Sequence, residues 1–410
     1  MRKRIVSMAA VAVMVLSLTG CTAPWADKDN KKGGNAIRID TGNNATETDV
    51  FDSERVNEKV DEINRYVDSY FYFDKDIEKQ EEAIYDGIMA GLDDPYSVYY
   101  TKEEYEQLLE EDSGEYVGVG AVVNQNEDKA VFVVRPIPDS PAEEAGMMAG
   151  DQIVEVDGTK IVDQDLMLVV DLIRGDKEGT TAHIKVYRES TKEYIDFEMV
   201  RRVVENYSVY HEMIDDIGYI EIQQFYENTP KEFKAAVEDV ISKGAKGIIF
   251  DVRDNPGGLV TSVTDMCDYI MGDGVILTIE DKEGRTVNEY KSDEQQQVNI
   301  PMVVIANGNS ASAAEIFTGA LKDCGKATVV GTQTFGKGIV QSVIPLSDGT
   351  AIKLTIAKYF TPSGKDIHEI GIAPDYVVEL PDNRDYAVGI EREDDTQLAK
   401  AIEVIQAQIN

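Results

Sequence analysis

Beyond residue 207 the chain alternates short, wholly apolar segments with amphipathic ones, and this alternation restricts the fold more than any other feature. GIIFD and PMVVIA are apolar runs of strand length, whereas TPKEFKAAVEDVISKG has the apolar spacing of a helix. We expect Thr229 to be the N-cap of that helix and Pro230 its first residue. Strands that alternate with helices in this way predict an α/β domain.

The charge balance argues against one large class of partners. The 410 residues include 77 Asp and Glu against 40 Lys and Arg, so the formal net charge is −37. Nucleic-acid binding needs clustered Lys and Arg, and no such patch is present, so we expect no nucleic-acid partner. The acidity is typical of a well-solvated surface. A chain of this length has room for two or three domains.

The N-terminal residues predict a removable signal and an anchor. MRKR is positively charged, the apolar run 5–18 is too short to span a bilayer, and LTGC places small residues directly before Cys21. This pattern resembles the lipobox of bacterial lipoproteins, whose cysteine becomes lipidated; the alternative is an ordinary secretory signal with an incidental cysteine. Both interpretations make residues 1–20 a signal peptide and place the protein outside the cytoplasm. The lipobox adds a lipid anchor at Cys21, on the extracytoplasmic face of the cell membrane.

Two segments precede the main domains. Residues 21–50 are polar and rich in Asp, Asn, Lys and Gly, which predicts a disordered tether. Residues 51–112 have helical apolar spacing that LDDPYSVYY breaks. The apolar faces of these helices must be covered, and either docking on the main domains or pairing with a second subunit would do so. The second alternative predicts a homodimer formed through the terminal helices, which include a predicted helical segment at 383–410.

Residues 113–203 have the element order of a small binding domain. YVGVGAVV and KAVFVVRPI are predicted strands, and SPAEEAGMMAGDQIVEVDG, a short helix from Leu166 to Arg174 and two more strands follow. This order resembles a PDZ domain, which implies that Gly118, Val119, Gly120 and Ala121 bind a peptide carboxylate. A plain glycine turn at a strand edge is the alternative, and alanine stands where the PDZ loop usually has phenylalanine.

The stretch NGNSASAAEIF contains a candidate nucleophile. Ser310 and Ser312 follow an apolar strand and precede an amphipathic segment, so they lie at a strand-to-helix turn. Such a turn presents unpaired N–H groups and the positive end of the helix dipole, and both would stabilise an oxyanion. The four residues from Ser312 to Glu315 also fit a capping box, in which the serine only caps the helix. This stretch alone leaves both roles open.

A lysine in TFGKGIVQSV is the candidate base. Lys337 lies between two glycines with apolar residues beyond them, so desolvation would lower its pKa. To act as a base near neutral pH, the pKa must fall by roughly 3 units from about 10.4. Gln341 lies on the same segment and can orient the neutral amine. The alternative is an ordinary surface lysine in a glycine turn.

Together these segments resemble the tail-specific, or C-terminal processing, peptidases of the S41 type, which are Ser-Lys proteases with an embedded PDZ domain. The resemblance covers DVRDNPGG, NGNSASAAEIFTGALKD, VVGTQTFGKGIVQ, YFTPSGKDI and GIAPD, in this order. It implies an α/β (α+β) fold: a crotonase- or ClpP-like protease core at 204–382, an inserted PDZ domain and a helical N-terminal segment. It also implies a serine endopeptidase that recognises unstructured or apolar C-terminal tails of protein substrates.

The resemblance assigns the catalytic roles. It implies Ser312 as the nucleophile, Lys337 as the base and Gln341 as its support, whereas Ser310 becomes a turn residue. It implies no cofactor. The sequence also contains no HExxH motif and no metal-binding cysteine spacing, so we expect no metal.

Three further residues follow from the same resemblance. We expect the oxyanion hole to use the N–H groups of Ala313 and of a glycine in DNPGG, with Gly258 favoured over Gly257. Arg174 stands where the family has an arginine that can couple the PDZ domain to the protease. An exposed arginine at a helix C-terminus, favoured by the helix dipole, is an equally good interpretation.

Other assignments remain open in the sequence. The chain could be a PDZ peptide-binding adaptor with a latent or inactive protease domain. A Ser-His-Asp protease would need His183, His211 or His368, and only His368 is a candidate, but the GxSxG and GDSGG motifs are absent. Cys267 and Cys324 form a disulfide, which an extracytoplasmic location permits, or remain free thiols.

Overall fold

The structure, a computed structural model, describes most of the chain beyond the predicted tether. The described residues are 51–126, 128–175, 177–293, 295, 298–381 and 392–409. The predicted signal peptide, the tether, Cys21 and the beginning of the predicted C-terminal segment lie outside these ranges. Within them, no helix has both the length and the apolar character needed to cross a membrane.

Two amphipathic helices begin the described chain. Helix α1 spans Ser53–Tyr70 and helix α2 spans Ile77–Ala90, and each starts at an aspartate whose side chain accepts a backbone N–H of the first turn. Helix α1 buries none of its residues, and α2 buries only Met89. The remainder of the described chain therefore buries none of the apolar side chains of α1.

The segment LDDPYSVYY contains a strand in addition to the expected break in the helical run. Strand β1 (Val98–Tyr100) pairs antiparallel with residues 351–353, far along the chain. Helix α3 (Lys102–Ser113) follows with a capping box and ends at Gly114, whose φ is +74°. Since the partner of β1 is so distant in sequence, local pattern gives no sign of this strand.

The next unit is a small antiparallel sheet closed by one long helix. The sheet has the order β3-β4-β5-β7-β8, with β6 on β5, and β2 pairs separately with β9. Strand β3 is therefore an edge strand, and α5 packs beside it. The elements are β2 (Glu115–Gly118), β3 (Ala121–Gln125), β4 (Val131–Pro136), α4 (Pro141–Glu144), β5 (Gln152–Val156), β6 (Thr159–Lys160), α5 (Leu166–Arg174), β7 (Thr181–Arg188), β8 (Glu193–Val200) and β9 (Arg202–Glu205).

The largest unit consists of two sheets with helices between them. Its elements are β10 (Val209–Ile214), β11 (Ile217–Ile222), α6 (Thr229–Ser242), β12 (Gly247–Asp251), α7 (Val260–Met271), β13 (Gly274–Glu280), β14 (Thr286–Ser292), β15 (Met302–Ala306), α8 (Ala313–Asp323), β16 (Ala327–Gly331), β17 (Ile339–Pro345), β18 (Ala351–Phe360), β19 (Tyr376–Val377) and α9 (Thr396–Ile409). One sheet has the order β10-β11-β12-β15-β16-β19 and is parallel beyond β11. The other joins β1, β18, β13 and β14, with β17 also paired to β18.

The main core lies between these sheets, around α6, α7 and α8. Phe233, Phe250 and Phe317 pack ring against ring at its centre, and all are fully buried. Strands β12 and β15 are buried at every residue, as expected where both faces of a parallel sheet are covered, and α9 covers the second face. The prediction of a mixed helix-and-sheet fold is confirmed.

One predicted helix start is wrong by a residue. Thr229 is the first residue of α6, and Asn228 occupies the N-cap position without a side-chain cap hydrogen bond. The Thr229 hydroxyl instead accepts the N–H of Tyr226 at 2.8 Å and bonds the Ser208 hydroxyl at 2.7 Å. Thr229 does not act as the N-cap because its hydroxyl bonds Ser208, directly before β10, and so joins the start of the helix to that strand.

The cysteines at 267 and 324 are free thiols. Cys267 is buried in α7, where burial raises the pKa of its thiol. Cys324 follows α8, and its Sγ lies 3.6 Å from the carbonyl oxygen of Val275. Of the two states left open by the sequence, the structure therefore has the unpaired one.

Candidate active site

Ser312 lies at the turn between β15 and α8 in a backbone conformation that few residues adopt. Its φ is +56° and its ψ is −115°, which is costly for a residue with a Cβ. Ser312 and Glu315 face each other as in a capping box, but the Glu315 N–H donates to the Ser312 carbonyl oxygen at 2.8 Å. The Ser312 Oγ is buried and has no hydrogen-bond partner within the described chain. The hydroxyl is therefore not consumed by helix capping.

Ser310 has the role of a turn residue, as expected. Its Oγ donates to the carbonyl oxygen of Val252 at 2.7 Å and accepts the N–H of Asn307 at 2.9 Å. A hydroxyl with both roles filled fixes the turn and is not available for attack on a substrate. Of the two serines, Ser312 alone has an uncommitted hydroxyl.

The buried carboxylate of Glu315 holds this turn against the loop that carries Lys337. Its Oε2 accepts the N–H of Ser312 at 3.0 Å and the N–H of Lys337 at 2.8 Å. Its Oε1 accepts the N–H of Gly336 at 2.8 Å and the hydroxyl of Thr334 at 2.5 Å. Burial raises the pKa of Glu315, while these hydrogen bonds favour the carboxylate and oppose the rise. The amides of the two candidate catalytic residues thus meet at one oxygen atom.

Tyr359 on β18 makes a matching connection on the carbonyl side. Its hydroxyl lies 3.1 Å from the carbonyl oxygen of Ser312 and 2.5 Å from that of Lys337. Burial raises the pKa of this phenol far above its usual range, so it stays protonated and donates. The two backbones are therefore held together through both their N–H and their carbonyl groups.

Lys337 is buried, with 2% of its surface exposed, and its Nζ has no hydrogen-bond partner within the described chain. The Nζ lies 4.5 Å from the centroid of the Tyr96 ring. Desolvation, reinforced by the positive charge of Lys353, lowers the pKa of Lys337 to about 8, and Asp94 and Glu315 partly oppose the fall. A neutral amine is therefore accessible near neutral pH, as a base requires.

Gln341 lies on β17, where a bulge at Val340–Gln341 interrupts the pairing with β18. Its Nε2 donates to the Thr355 hydroxyl at 3.2 Å, and its buried Oε1 has no partner in the described part of the chain. An amide oxygen left in this state can accept a hydrogen bond from an ammonium group. The side chain is therefore anchored at one end and available at the other.

The glycine pair of DNPGG lies against the nucleophile turn. The N–H of Gly257 is occupied by Asn255 Oδ1 at 2.8 Å, whereas those of Gly258 and Ala313 donate no hydrogen bond to any described residue. A Cβ added at Gly257 would lie 2.9 Å from the Cβ of Ser312 and 3.2 Å from the nitrogen of Ala313. This arrangement leaves the expected pair of N–H donors, Gly258 and Ala313, available beside the serine.

The predicted carboxylate loop of the PDZ-like unit also presents unused donors. Gly118 closes β2 and Ala121 opens β3, and between them the N–H groups of Val119 and Gly120 donate no hydrogen bond to the described chain. The φ of Gly120 is +77°, and a Cβ there would lie 2.2 Å from the Cβ of Ser140. Only glycine fits this position, and the loop can offer its N–H groups to an anion.

Arg174, at the end of α5, has two contacts outside that helix. Its Nη1 lies 3.5 Å from Glu110 Oε2 on α3, and its guanidinium carbon lies 5.0 Å from the centroid of the Tyr116 ring. These contacts join α5 to the helix that leads into the PDZ-like unit. The arginine is therefore more than an exposed residue that complements the helix dipole.

The histidines have other surroundings. The ring of His211 pairs with Asp239 at 2.9 Å, and the His183 backbone donates to Asp157. His368 packs its backbone against Gly338, next to the lysine, and its Nδ1 has no partner within the described residues. No hydrogen bond in that part of the chain joins a histidine to Ser312. Lys337, unlike the histidines, shares the Glu315 and Tyr359 anchors with Ser312, which favours lysine as the base.

Several residues of the site escaped sequence reasoning. Glu315 was identified only as a capping residue, although its carboxylate joins two loops. Tyr359 is the penultimate residue of β18, and Ala357 and Tyr359 on one face of this strand are buried. The alternation of residues along this strand is a sequence signal that could have identified Tyr359 as a core residue. Asp94 and Tyr96 lie in LDDPYSVYY, far from the serine in sequence, and no local pattern indicates their position.

Comparisons with known proteins support the same assignment. The sequence model of peptidase family S41 matches residues 216–378, and that of the PDZ domain matches residues 116–199. A probable CtpA-like serine protease of Staphylococcus haemolyticus is 36% identical over 359 residues, which cover 84% of this chain and 70% of that protein. The carboxy-terminal processing protease CtpA of Bacillus subtilis is 37% identical over 329 residues, covering 79% of this chain and 70% of that protein.

A solved structure adds a likeness in fold. The structure of a putative S41 protease from Bacteroides fragilis covers 82% of this chain and 93% of that one, with 17% identity and a TM-score of 0.54. Identity and coverage of the sequence relatives carry the assignment, and the family match spans the unit that contains Ser312 and Lys337. The chain therefore belongs to peptidase family S41 and is a serine-type peptidase of the carboxy-terminal processing group that carries a PDZ domain.

Proposed function

We propose that this chain is a lipid-anchored endopeptidase of the extracytoplasmic membrane face that recognises unstructured or apolar C-terminal tails and cleaves with a Ser-Lys dyad. The observation that carries the proposal is the shared anchoring of Ser312 and Lys337 by Glu315 and Tyr359. Both reactive atoms are buried, and neither has a hydrogen-bond partner within the described chain. An uncommitted hydroxyl and an uncommitted amine with a lowered pKa are the two groups that such a dyad needs.

The first half of the reaction forms an acyl-enzyme. The Ser312 Oγ bonds to the substrate carbonyl carbon while its proton passes to the neutral Nζ of Lys337. The carbonyl oxygen becomes an oxyanion, which the N–H groups of Gly258 and Ala313 stabilise. When this intermediate collapses, the C–N bond breaks and the Lys337 ammonium gives its proton to the leaving amine.

The second half releases the acyl group. Lys337, again neutral, takes a proton from water as the water oxygen bonds to the acyl carbon. The bond from carbon to Ser312 Oγ then breaks, and the serine regains a proton from the ammonium. Gln341 Oε1 accepts a hydrogen bond from the ammonium in both halves and keeps the amine directed at the serine.

A groove on the second sheet can receive part of the chain to be cut. It has a volume of about 850 Å³ and lies between the β13–β14 hairpin and the pair β17–β18. Two of its lining residues are linked to the proposed site: Ile339 follows Lys337 by two residues in the sequence, and Thr355 accepts a hydrogen bond from Gln341. A groove bounded by strands suits an extended peptide.

Substrate selection is assigned to the PDZ domain. The unused N–H groups of Val119 and Gly120 would bind a terminal carboxylate, and the tail would add to the free edge of β3. Helix α5, which packs beside β3, is mostly apolar, and this suits an apolar tail.

The N-terminal region supports membrane attachment and dimerisation. The lipobox-like LTGC supports a lipid anchor at Cys21. On α1, Tyr66 is 62% exposed and Tyr70 is 80% exposed, which supports pairing of this helix with a second copy. An inhibitor of lipoprotein signal peptidase, such as globomycin, should cause the precursor form to accumulate, and this tests the anchor. Light scattering of the protein without its predicted signal peptide and tether tests the dimer.

The proposed activity is tested by turnover of an unstructured protein that ends in apolar residues, with the product ends mapped by mass spectrometry. We expect cleavage by the wild type and none by Ser312→Ala or Lys337→Ala. The matched control is Ser310→Ala, which removes a hydroxyl from the same turn and tests whether structural damage alone abolishes cleavage.

Two outcomes would favour other functions. If the wild type binds C-terminal peptides but never cleaves, the chain acts as a PDZ adaptor with a latent protease domain. If Lys337→Ala cleaves normally while His368→Ala does not, the base is a histidine and the dyad is wrong.

A further inference from the structure

The turn that precedes β1 places an aromatic ring against the base. Tyr96 is half-buried, and the centroid of its ring lies 4.5 Å from the Nζ of Lys337. This distance is within the range of a cation–π contact. The Nζ has no hydrogen-bond partner within the described residues, so the amine contacts the face of the Tyr96 ring instead of a hydrogen-bond acceptor.

This turn is fixed to the catalytic unit at several points. Asp94 accepts the N–H of Tyr96 at 3.1 Å and the hydroxyl of Ser97 at 2.6 Å. The Ser97 Oγ in turn accepts the N–H of Thr355 on β18 at 3.0 Å. Thr355 also accepts from Gln341, so one residue of β18 holds both the turn and the expected support of the base. The ring is therefore positioned by the same strand that positions Gln341.

We propose that Tyr96 is a positioning residue for the base: its ring face holds the Lys337 ammonium that forms when Ser312 gives up its proton. The proposal rests on the proposed function of the dyad. A lysine on a flexible side chain needs a surface that keeps its charged form near the serine until the proton passes to the leaving amine. The negative face of an aromatic ring attracts an ammonium without forming a hydrogen bond that must be broken.

The groups that face the amine come from three elements. Asp94 and the ring of Tyr96 come from the turn before β1, Glu315 comes from α8, and Lys353 comes from β18. Burial and Lys353 disfavour the ammonium, whereas Asp94, Glu315 and the ring face favour it. Removal of the ring should therefore lower the pKa of Lys337, so that the amine is neutral at lower pH, and should leave the position of the ammonium less well fixed.

The predicted effects separate the ring from its hydroxyl. In Tyr96→Leu, we expect the pH midpoint of serine acylation to fall by roughly 0.5–1.5 units, from the range of cation–π strengths. We also expect the plateau rate at high pH to fall by about tenfold or more, because the ammonium is no longer held in place. Tyr96→Phe keeps the ring and should retain the wild-type midpoint and most of the rate.

The experiment uses the full chain in detergent. Acylation of Ser312 by a fluorophosphonate probe is followed as a function of pH for the wild type, Tyr96→Phe and Tyr96→Leu. The titration of Lys337 is measured separately by NMR on protein with ¹³C-labelled lysine, with its signal assigned by Lys337→Met. Thermal unfolding verifies that each variant is folded.

The two readouts distinguish failure of this inference from failure of the proposed function. A folded Tyr96→Leu variant whose Lys337 titrates as in the wild type would overturn the inference, as would a Tyr96→Phe variant that shifts as far as Tyr96→Leu. If Tyr96→Leu lowers the titration midpoint while the wild-type serine never reacts with the probe, the inference holds and the proposed protease chemistry fails.

Discussion

The lowered pKa of Lys337 fixes how cleavage should depend on pH. Only the neutral amine can accept the serine proton, and the pKa is lowered to about 8. We therefore expect kcat/KM to rise about tenfold per pH unit below this value and to level off above it. Lys337→Arg, which stays protonated, should lose about 10²–10⁴ in rate. Rates measured from pH 6 to pH 9 on the same unstructured substrate check both statements.

A surface lysine provides the control for this prediction. Lys243 directly follows α6, with 54% of its side chain exposed. Lys243→Arg should keep the profile and the rate of the wild type. A profile that stays level through pH 8 in the wild type would contradict the role of Lys337 as the base.

The packing of Gly257 against the serine predicts a second effect of a single residue. In Gly257→Ala, the new Cβ would lie 2.9 Å from both the Ala311 carbonyl oxygen and the Ser312 Cβ, at a φ of +112°. The turn must shift, and displacement of a nucleophile by about 1 Å can cost about 10²-fold in rate. We expect kcat to fall by that order in steady-state assays.

The control for Gly257→Ala separates crowding from backbone strain. Gly244 also has a positive φ, +91°, but a Cβ there would meet nothing within 4 Å. Gly244→Ala should therefore carry a similar strain in the backbone without loss of kcat. Equal losses in both variants would show that strain, rather than contact with Ser312, causes the effect.

The contacts of single residues were only partly predictable. A strand-to-helix turn and a glycine-flanked lysine have local signatures, which made Ser312 and Lys337 candidates, but only the family resemblance decided their roles. The positions of Glu315, Tyr359 and Tyr96 around them depend on contacts between segments that are distant in sequence. Residue types and spacing cannot specify such contacts without the fold.

Between elements, Glu315 is the connection whose removal should be most costly. Glu315→Gln replaces one carboxylate oxygen, which accepts hydrogen bonds, by an NH₂ group that faces their donors. At least one buried N–H is then unsatisfied, which costs about 1–3 kcal/mol. We expect a lower urea midpoint and also a lower kcat, because the two catalytic loops lose their shared anchor.

An exposed glutamate provides the control. Glu403 lies on the outer face of α9 with 70% of its side chain exposed, and Glu403→Gln should leave the urea midpoint and kcat unchanged. If Glu315→Gln has the urea midpoint and the kcat of the wild type, the Glu315 carboxylate does not hold the two loops together.

At this scale the sequence was most informative where elements are local. The apolar strands and amphipathic helices of the α/β unit follow from their periodicity, and α5 has its predicted bounds, Leu166–Arg174. Strand β1, the β13–β14 hairpin and β17 were not identified, and all of them belong to the second sheet. That sheet joins distant segments, so its order is decided by tertiary packing rather than by local pattern.

The whole molecule joins its PDZ and protease units through α3. Arg174 connects α5 to Glu110 on this helix, and Tyr100, directly before it, lies on β1 beside β18. The turn that carries Tyr96 precedes the same strand. We propose that a change in the position of the PDZ unit would act through α3 on the segment that contacts the base and so couple tail binding to cleavage.

The proposed recognition of tails by the PDZ loop leads to a prediction for the complete molecule. In Gly120→Ala, the new Cβ would lie 2.2 Å from the Ser140 Cβ, so the carboxylate loop must distort. We expect KM for a substrate with a free C-terminal carboxylate to rise about tenfold or more, since charge-assisted hydrogen bonds are lost. Fluorophosphonate labelling of Ser312 should be unchanged.

Gly179→Ala, in the same unit at a φ of +79° with no atom within 4 Å, should leave both measurements unchanged. The same substrate with an amidated C-terminus should already bind weakly to the wild type and lose nothing more in Gly120→Ala. If it is cleaved as well as the free acid, the PDZ loop does not read the carboxylate.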